Sequence, residues 1–174
     1  NAGGSAGVMH KSTSSGWVVV STPTLAAGGN YEFVNHNFGG HSSTQNMYGC
    51  NGVNKAFQFN GTTLTLLTTG MTTDTPSHIN VHKNHLFLSF SGGSVQHSGT
   101  GNPTSWTLVT GAGEISIGSE VTGLNSMQGN SLAITGLKQV SVLYGTAASN
   151  WDLKSYSPAI GAISKTHAQM DSDL

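Results

Sequence analysis

The chain has 174 residues, enough for one domain with a buried core or for part of a larger one. Only 7% of the residues are charged, the net charge is −1 and there is no Arg, so six Lys cannot form the cationic surface that nucleic acids require. A single Cys excludes an internal disulfide and a multi-Cys zinc site, and no apolar run reaches the roughly 18 residues of a membrane span.

Hydrophobic residues make up 36% of the chain, and Val, Leu and Ile alternate with Ser and Thr rather than following a helical period. This pattern predicts a folded, all-β chain built from antiparallel sheets. Ser and Thr on outward strand positions keep such a chain soluble without charge. Low charge of this kind is typical of secreted proteins and of virion proteins, whose surfaces are largely covered by neighbouring subunits.

In chain order, the first 16 residues are small and polar, and their composition predicts a flexible arm that could pack on a partner. The Asn60–Gly61 pair is the strongest turn signal, and it predicts a hairpin from Phe57 to Thr69. The other strands predicted before the middle of the chain are Trp17 to Val20, Tyr31 to Asn37 and His78 to His82.

Two later stretches repeat each other, "HKNHLFLSFSGGSVQHSGTGNPTSWTL" from His82 and "QGNSLAITGLKQVSVLYGTAASNWDL" from Gln128, with a period of 45 to 46 residues. Each copy has a polar turn, two strands, a loop of small residues and a Trp-x-Leu strand. Repeats of this length with several short strands are typical of propeller blades. The matched positions are Asn84 with Asn130, Leu86 with Leu132, Leu88 with Ile134 and, one residue out of step, Trp106 with Trp151 and Leu108 with Leu153.

These positions predict a partial β-propeller-like architecture. We expect a Gly/Ser-rich arm at residues 1–16, blades at 17–157, and the start of a further, incomplete blade or a C-terminal tail at 158–174. A propeller needs at least about four blades to close. The chain is therefore expected to be a fragment, to be completed by other subunits, or to form an open β-sandwich.

The His residues suggest a metal site at first sight, above all His78, His82, His85 and His97. On a strand, however, His78 and His82 share a face and His85 points to the other, so three ligands would need a turn at Lys83–Asn84. We therefore expect exposed or hydrogen-bonding imidazoles and no metal site.

No catalytic group or cofactor site is expected. No Gly-x-Ser-x-Gly nucleophile elbow is present, the Gly-rich stretches lack the Lys of a phosphate loop, and Cys50 is expected to be a small buried residue. The carboxylates show no pairing and are expected to be solvated: Glu32, Asp74, Glu114, Glu120, Asp152, Asp171 and Asp173. The chain is accordingly not expected to be an enzyme.

Trp106 and Trp151 have two interpretations. Their shared Trp-x-Leu context favours large side chains that fill the same gap between adjacent sheets, whereas an exposed indole would offer a platform for a sugar ring. Burial between sheets supports a structural role, and exposure in a groove supports binding.

Between Phe57 and Ser164 the sequence resembles that of a β-propeller family of tailed-phage virion proteins. This family includes the tail nozzle of short-tailed phages and portal-proximal head-completion or stabilisation proteins. The residues that carry the resemblance are Asn102, Pro103, Trp106, Glu114, Ile115, Thr122, Gly123, Leu124, Asn130, Leu132, Ile134, Gly145, Trp151 and Leu153.

The resemblance implies a structural protein in the virion, at the tail or the head-to-tail junction, and it implies no catalytic residue. We expect identical subunits to form a ring, with other tail or connector proteins as partners. DNA is expected to pass through this ring without specific binding. The alternative is a carbohydrate- or receptor-binding β module of a tail fibre or bacterial surface protein, with a host receptor as partner.

Overall fold

The computed structural model describes residues 6–163 and confirms the all-β fold, with fourteen strands in four antiparallel sheets. A two-stranded hairpin, which we call the N-terminal hairpin, comes first in the chain. Three four-stranded sheets follow, and we call them sheets I, II and III. The N-terminal hairpin has β1 (Ala6–Thr13) and β2 (Gly16–Ala26), and sheet I has β3 (Glu32–His36), β4 (Asn46–Cys50), β5 (Phe57–Phe59) and β6 (Leu64–Leu66). Sheet II has β7 (His78–His82), β8 (His85–Phe90), β9 (Ser94–His97) and β10 (Gly113–Ser116), and sheet III has β11 (Val121–Met127), β12 (Ser131–Gly136), β13 (Val140–Tyr144) and β14 (Asp152–Ser157).

Each of the three sheets is a meander in which consecutive strands are neighbours. The first strands lie next to one another, β3 beside β7 and β7 beside β11, so the sheets stack in series along the chain. No closed propeller is formed by residues 6–163. No helix in this range has the length and apolar character needed to cross a membrane.

Sheet II is the middle layer, and strand β8 is buried along its whole length. Because side chains alternate between the two faces of a strand, Leu86 and Leu88 pack against sheet I while Phe87 packs against sheet III. Sheet I contributes Tyr48 and Cys50 to the first core, both almost fully buried. Sheet III contributes Leu124, Leu132, Ile134 and Leu143 to the second core.

The N-terminal hairpin covers the other face of sheet I. Its Leu25 packs with Phe57 and Leu64, and Lys11 Nζ donates a hydrogen bond of 2.9 Å to the Gly61 carbonyl. Where the sequence predicts a flexible arm over residues 1–16, the structure has strand β1, because its backbone pairs with β2. Residues 1–5 lie outside the described residues.

Three other features differ from the sequence prediction. Strand β4 was not predicted, because its sequence, NMYGC, lacks alternating aliphatic residues. The first Trp-x-Leu is not a strand, because a turn begins at Thr107. The Thr107 carbonyl accepts a hydrogen bond of 3.0 Å from Thr110 N. The last strand of sheet II therefore starts only at Gly113.

The hairpin predicted around Asn60–Gly61 is confirmed as β5 and β6, joined by residues 60–63. Asn60 Oδ1 accepts hydrogen bonds from the backbone N–H groups of Thr62 and Thr63, at 2.9 and 2.8 Å, which explains why Asn favours this turn. After β14, residues 158–163 contain no strand, and the rest of the predicted incomplete blade or tail, 164–174, lies outside the described residues.

The packing between sheets II and III generates a stability prediction. Leu132 is fully buried in this core, so Leu132→Ala should lower the free energy of unfolding by about 2 to 5 kcal/mol. Val109→Ala is the matched control, since Val109 is 98% exposed and its loss should change stability by no more than about 0.5 kcal/mol. Urea unfolding curves measure both, and an unchanged midpoint for Leu132→Ala would contradict the packing described here.

Candidate functional site

A cavity of about 550 Å³ opens where the first strands of the three sheets begin. Glu32 comes from the start of β3, His78 from the start of β7, and Val121 and Thr122 from the start of β11. Asn51 and Ser77 add polar groups from the connecting loops. The serial stacking of the sheets therefore brings together residues that are far apart in the sequence.

Glu32 and His78 form a pair at this cavity. The Glu32 Oε1 atom lies 2.8 Å from His78 Nδ1, and Glu32 Oε2 accepts a hydrogen bond of 3.2 Å from the Ile79 backbone N–H. Both side chains are mostly buried, with 14% of Glu32 and 17% of His78 exposed. The carboxylate thus links sheet I to sheet II.

The expectation that the carboxylates are solvated is wrong for Glu32 and for Asp74. Asp74 is buried, where it accepts hydrogen bonds from Thr69 N at 3.1 Å and Thr69 Oγ1 at 2.7 Å. Its other partner is Lys55, whose Nζ lies 3.8 Å away. Glu114, Glu120 and Asp152 are exposed, and Asp171 and Asp173 lie outside the described residues.

Similar polar contacts join sheets II and III at their first strands. Asn80 Nδ2 donates a hydrogen bond of 2.7 Å to the Leu124 carbonyl, and Ser126 Oγ donates one of 2.5 Å to the Val81 carbonyl. In both junctions a side chain of one first strand therefore satisfies a main-chain group of the next.

A second polar cluster is buried between sheets II and III. The sequence-based expectation that His85 faces away from His82 is wrong, because Lys83 and Asn84 form a two-residue turn with φ of 46° and 60°. This turn places His82 directly opposite His85, and the pairing of Phe87 with His97 puts all of these side chains on one face of sheet II.

Trp151, which directly precedes β14 of sheet III, packs edge-on against this cluster. Its ring centroid lies 4.1 Å from that of His97 and 4.8 Å from that of His85. His85 Nδ1 donates to the Ser98 carbonyl at 2.6 Å, and His97 Nδ1 lies 3.1 Å from the same oxygen. In the part of the chain that the structure describes, Trp151 Nε1 and His82 Nε2 are buried without a hydrogen-bond partner.

Burial lowers the pKa of His82 to about 4, and the nearby Lys83 charge acts in the same direction. Burial also lowers the pKa of His97 to about 4. Both imidazoles are therefore neutral near pH 7. No group of three His, Cys, Asp or Glu side chains within residues 6–163 is arranged to hold a metal ion.

The repeated residues occupy matched places in sheets II and III. Leu86, Leu88, Leu132 and Ile134 are fully buried. The carbonyl of Asn84 accepts a hydrogen bond of 2.7 Å from Gly101 N, and that of Asn130 accepts one of 3.0 Å from Gly145 N.

The two Trp of the repeat each contact the preceding sheet. Trp106 is half-buried against the core between sheets I and II, and Trp151 is half-buried against the core between sheets II and III. Their following Leu residues differ. Leu153 lies in β14 and packs on the second core, whereas Leu108 lies in the turn after Trp106 and is 83% exposed.

Two features of these sites differ from the sequence expectation, and only one has a signal in the sequence. The turn at Lys83–Asn84, which the sequence analysis names as the condition for bringing the imidazoles together, is present and places His82 opposite His85. Nothing in the sequence pairs Glu32 with His78, because their contact depends on how one sheet stacks on the next.

Comparisons of the chain with protein-family models, with curated proteins and with solved structures found no match. No family is therefore assigned on this basis.

The buried imidazoles generate a pH prediction. The unfolded chain takes up protons as the pH falls below about 6.5, whereas folded His82 and His97 resist protonation until about pH 4. Stability should thus be complete above pH 6.5 and fall between about 6.5 and 4, by up to about 3 kcal/mol per imidazole.

Urea unfolding at several pH values measures this loss. In the His97→Gln variant the free energy of unfolding should depend less on pH than in the wild type. His10→Gln, at an exposed position, is the control for removing an imidazole. A wild-type stability that stays constant from about pH 6.5 to 4.5 would contradict the prediction.

The Glu32 contacts generate a further prediction. Glu32→Ala leaves Ile79 N–H and His78 without their acceptor and should lower the free energy of unfolding by about 1 to 3 kcal/mol. Glu114→Ala removes an exposed carboxylate and should have little effect. Equal unfolding midpoints for the two variants would show that the Glu32 contacts contribute nothing.

Proposed function

We propose that the chain is a structural subunit of a tailed-bacteriophage virion, part of the tail nozzle or tube or of the head-to-tail connector, where identical copies assemble in a ring. In this proposal sheets I, II and III are blades of a propeller-like array. The observation that carries it is the serial stacking of three four-stranded meanders through their first strands. This is the way in which propeller blades are arranged around an axis.

The positions of the aromatic residues also support a structural role. Trp106 and Trp151 are half-buried against the two cores, which supports a packing role for them. The imidazoles of His82, His85 and His97 are buried and cannot contact a ligand in solution. Polar main-chain contacts at the junctions fix the sheets relative to one another, which suits a rigid building block.

The charge of the chain supports a place in the wall of a DNA-conducting particle. With six Lys, no Arg and a net charge of −1, the surface has few groups that would hold phosphates. DNA would therefore pass such a wall without strong binding.

Immunogold electron microscopy tests the proposal. Antibodies raised against the purified chain should label tailed virions at the tail or at the neck. Labelling of the host cell surface with none on virions would contradict the proposal and would favour the second candidate.

The second candidate is a carbohydrate-binding module, and the cavity at Glu32 and His78 favours it. A paired carboxylate and imidazole with nearby Asn51 and Ser77 suit the hydroxyl groups of a neutral sugar. Saturation-transfer NMR with glucose, galactose and N-acetylglucosamine tests this candidate. Signal transfer that is lost in Glu32→Gln would favour it over the structural role.

A further inference from the structure

We infer that copies of the chain associate head to tail, with the N-terminal hairpin and β3 of one copy packed on the outer face of sheet III of the next. This inference rests on the proposed assembly of identical subunits, and it names the two surfaces that meet. The head surface comprises Val8, Trp17, Val19, Tyr31 and Phe33. The tail surface comprises Met127, Tyr144 and Tyr156.

The head surface is apolar and exposed. Val19 and Trp17 alternate with Val18 and Val20 along β2, so they lie on the face of the hairpin that points away from sheet I. Trp17 is 75% exposed, and Phe33 on the neighbouring β3 is 50% exposed. Exposed apolar patches are typical of interaction surfaces.

A groove of about 300 Å³ lies between strand β1 of the hairpin and the start of sheet I. It is lined by Val8 and Met9 from the hairpin and by Tyr31 and Phe33 from the start of sheet I. The rings of Tyr31 and Phe33 stack with their centroids 5.9 Å apart, which makes the β3 side of the groove a preformed aromatic wall. The hairpin covers the outer strands of sheet I and leaves this inner strip uncovered.

The tail surface lies on the face of sheet III that points away from sheet II. Leu143 faces sheet II, so the adjacent Tyr144 faces outward, and strand pairing aligns it through Ser131 with Met127. Tyr156 on β14 lies beside Tyr144, and their hydroxyl groups are hydrogen-bonded. Tyr156 is 63% exposed, and Met127 and Tyr144 are both more than one-third exposed.

Continuity with the sheet-to-sheet junctions inside the chain identifies a second copy as the occupant. At the junction of sheets II and III, Trp151 packs on the outward row that begins with His82 and His85. The equivalent row in sheet III is Met127, Ser131 and Tyr144. In each sheet the row starts with the two residues that pair on either side of the turn between the first two strands. The exposed Trp17 of another copy supplies an indole for this row.

Such a contact joins two different surfaces, so it is heterologous and adds copies in one direction until a ring closes. On the tail surface, Lys154 and Asp152 beside Tyr156 form an ion pair of 2.8 Å, so these two charges offset each other.

Light scattering coupled to size-exclusion chromatography tests the inference with two double variants. The head variant, Trp17→Ser with Phe33→Ser, and the tail variant, Tyr144→Ser with Tyr156→Ser, should each weaken association by about tenfold or more. The control, Leu108→Ser with Val109→Ser, changes two apolar side chains that are more than 80% exposed outside both surfaces, and it should assemble like the wild type. Unfolding curves confirm that each variant is folded.

Mixing the two variants gives the sharper result. The head variant keeps an intact tail surface and the tail variant keeps an intact head surface, so an equal mixture should form a discrete dimer through one native contact. A mixture that stays monomeric, or variants that assemble like the wild type, would overturn the head-to-tail contact. A wild-type chain that is itself monomeric would instead overturn the proposed assembly of identical subunits, so the two failures are distinguishable.

Discussion

Burial of sheet II on both faces is the constraint on which the rest of the structure depends. A strand buried on one side needs apolar residues at alternate positions, whereas β8, His-Leu-Phe-Leu-Ser-Phe, is buried at every position and has four apolar residues among its six. Leu86 and Leu88 hold sheet I while Phe87 holds sheet III. Burying each of these side chains contributes about 1.5 to 3 kcal/mol, so loss of the middle layer would release both neighbours.

Stacking of this kind leaves main-chain polar groups of the first strands without strand partners, and side chains form hydrogen bonds with some of them. The first strands of neighbouring sheets lie close together without forming a hydrogen-bonded ladder, so main-chain groups between them need other partners. Glu32, Asn80 and Ser126 each make such a hydrogen bond. These contacts are directional, unlike apolar packing, and they fix how far one sheet slides along the next.

The sequence predicts the class of the fold and the equivalence of sheets II and III. In each of these two sheets an Asn, Asn84 or Asn130, is followed by aliphatic residues at alternate positions. The sequence also predicts blades over residues 17–157, but it does not predict strand β4, which is needed to complete sheet I. In β4, Gly49 stands where the rings of Phe57 and Phe33 approach so closely that a side chain would collide with them. That packing replaces the alternating aliphatic residues that would have revealed the strand.

The prediction of the polar sites was limited by the same dependence on long-range contacts. Alternation along a strand correctly places His78 and His82 on one face, but the face of His85 depends on the length of the turn between two strands. The pairing of Glu32 with His78 depends on the stacking of two sheets, for which local patterns carry no information. Sequence therefore indicates which residues alternate, and the tertiary arrangement decides which of them meet.

The two junctions differ in a way that has consequences for the whole stack. Tyr48 and Phe38 fill the junction of sheets I and II beside aliphatic residues, whereas the junction of sheets II and III contains His82, His85 and His97 around Trp151. A proton on His82 or His97 introduces a charge into a buried space, which is why burial lowers the pKa of both imidazoles to about 4. Protonation of His82 and His97 therefore weakens the second junction, whose imidazoles pack around Trp151.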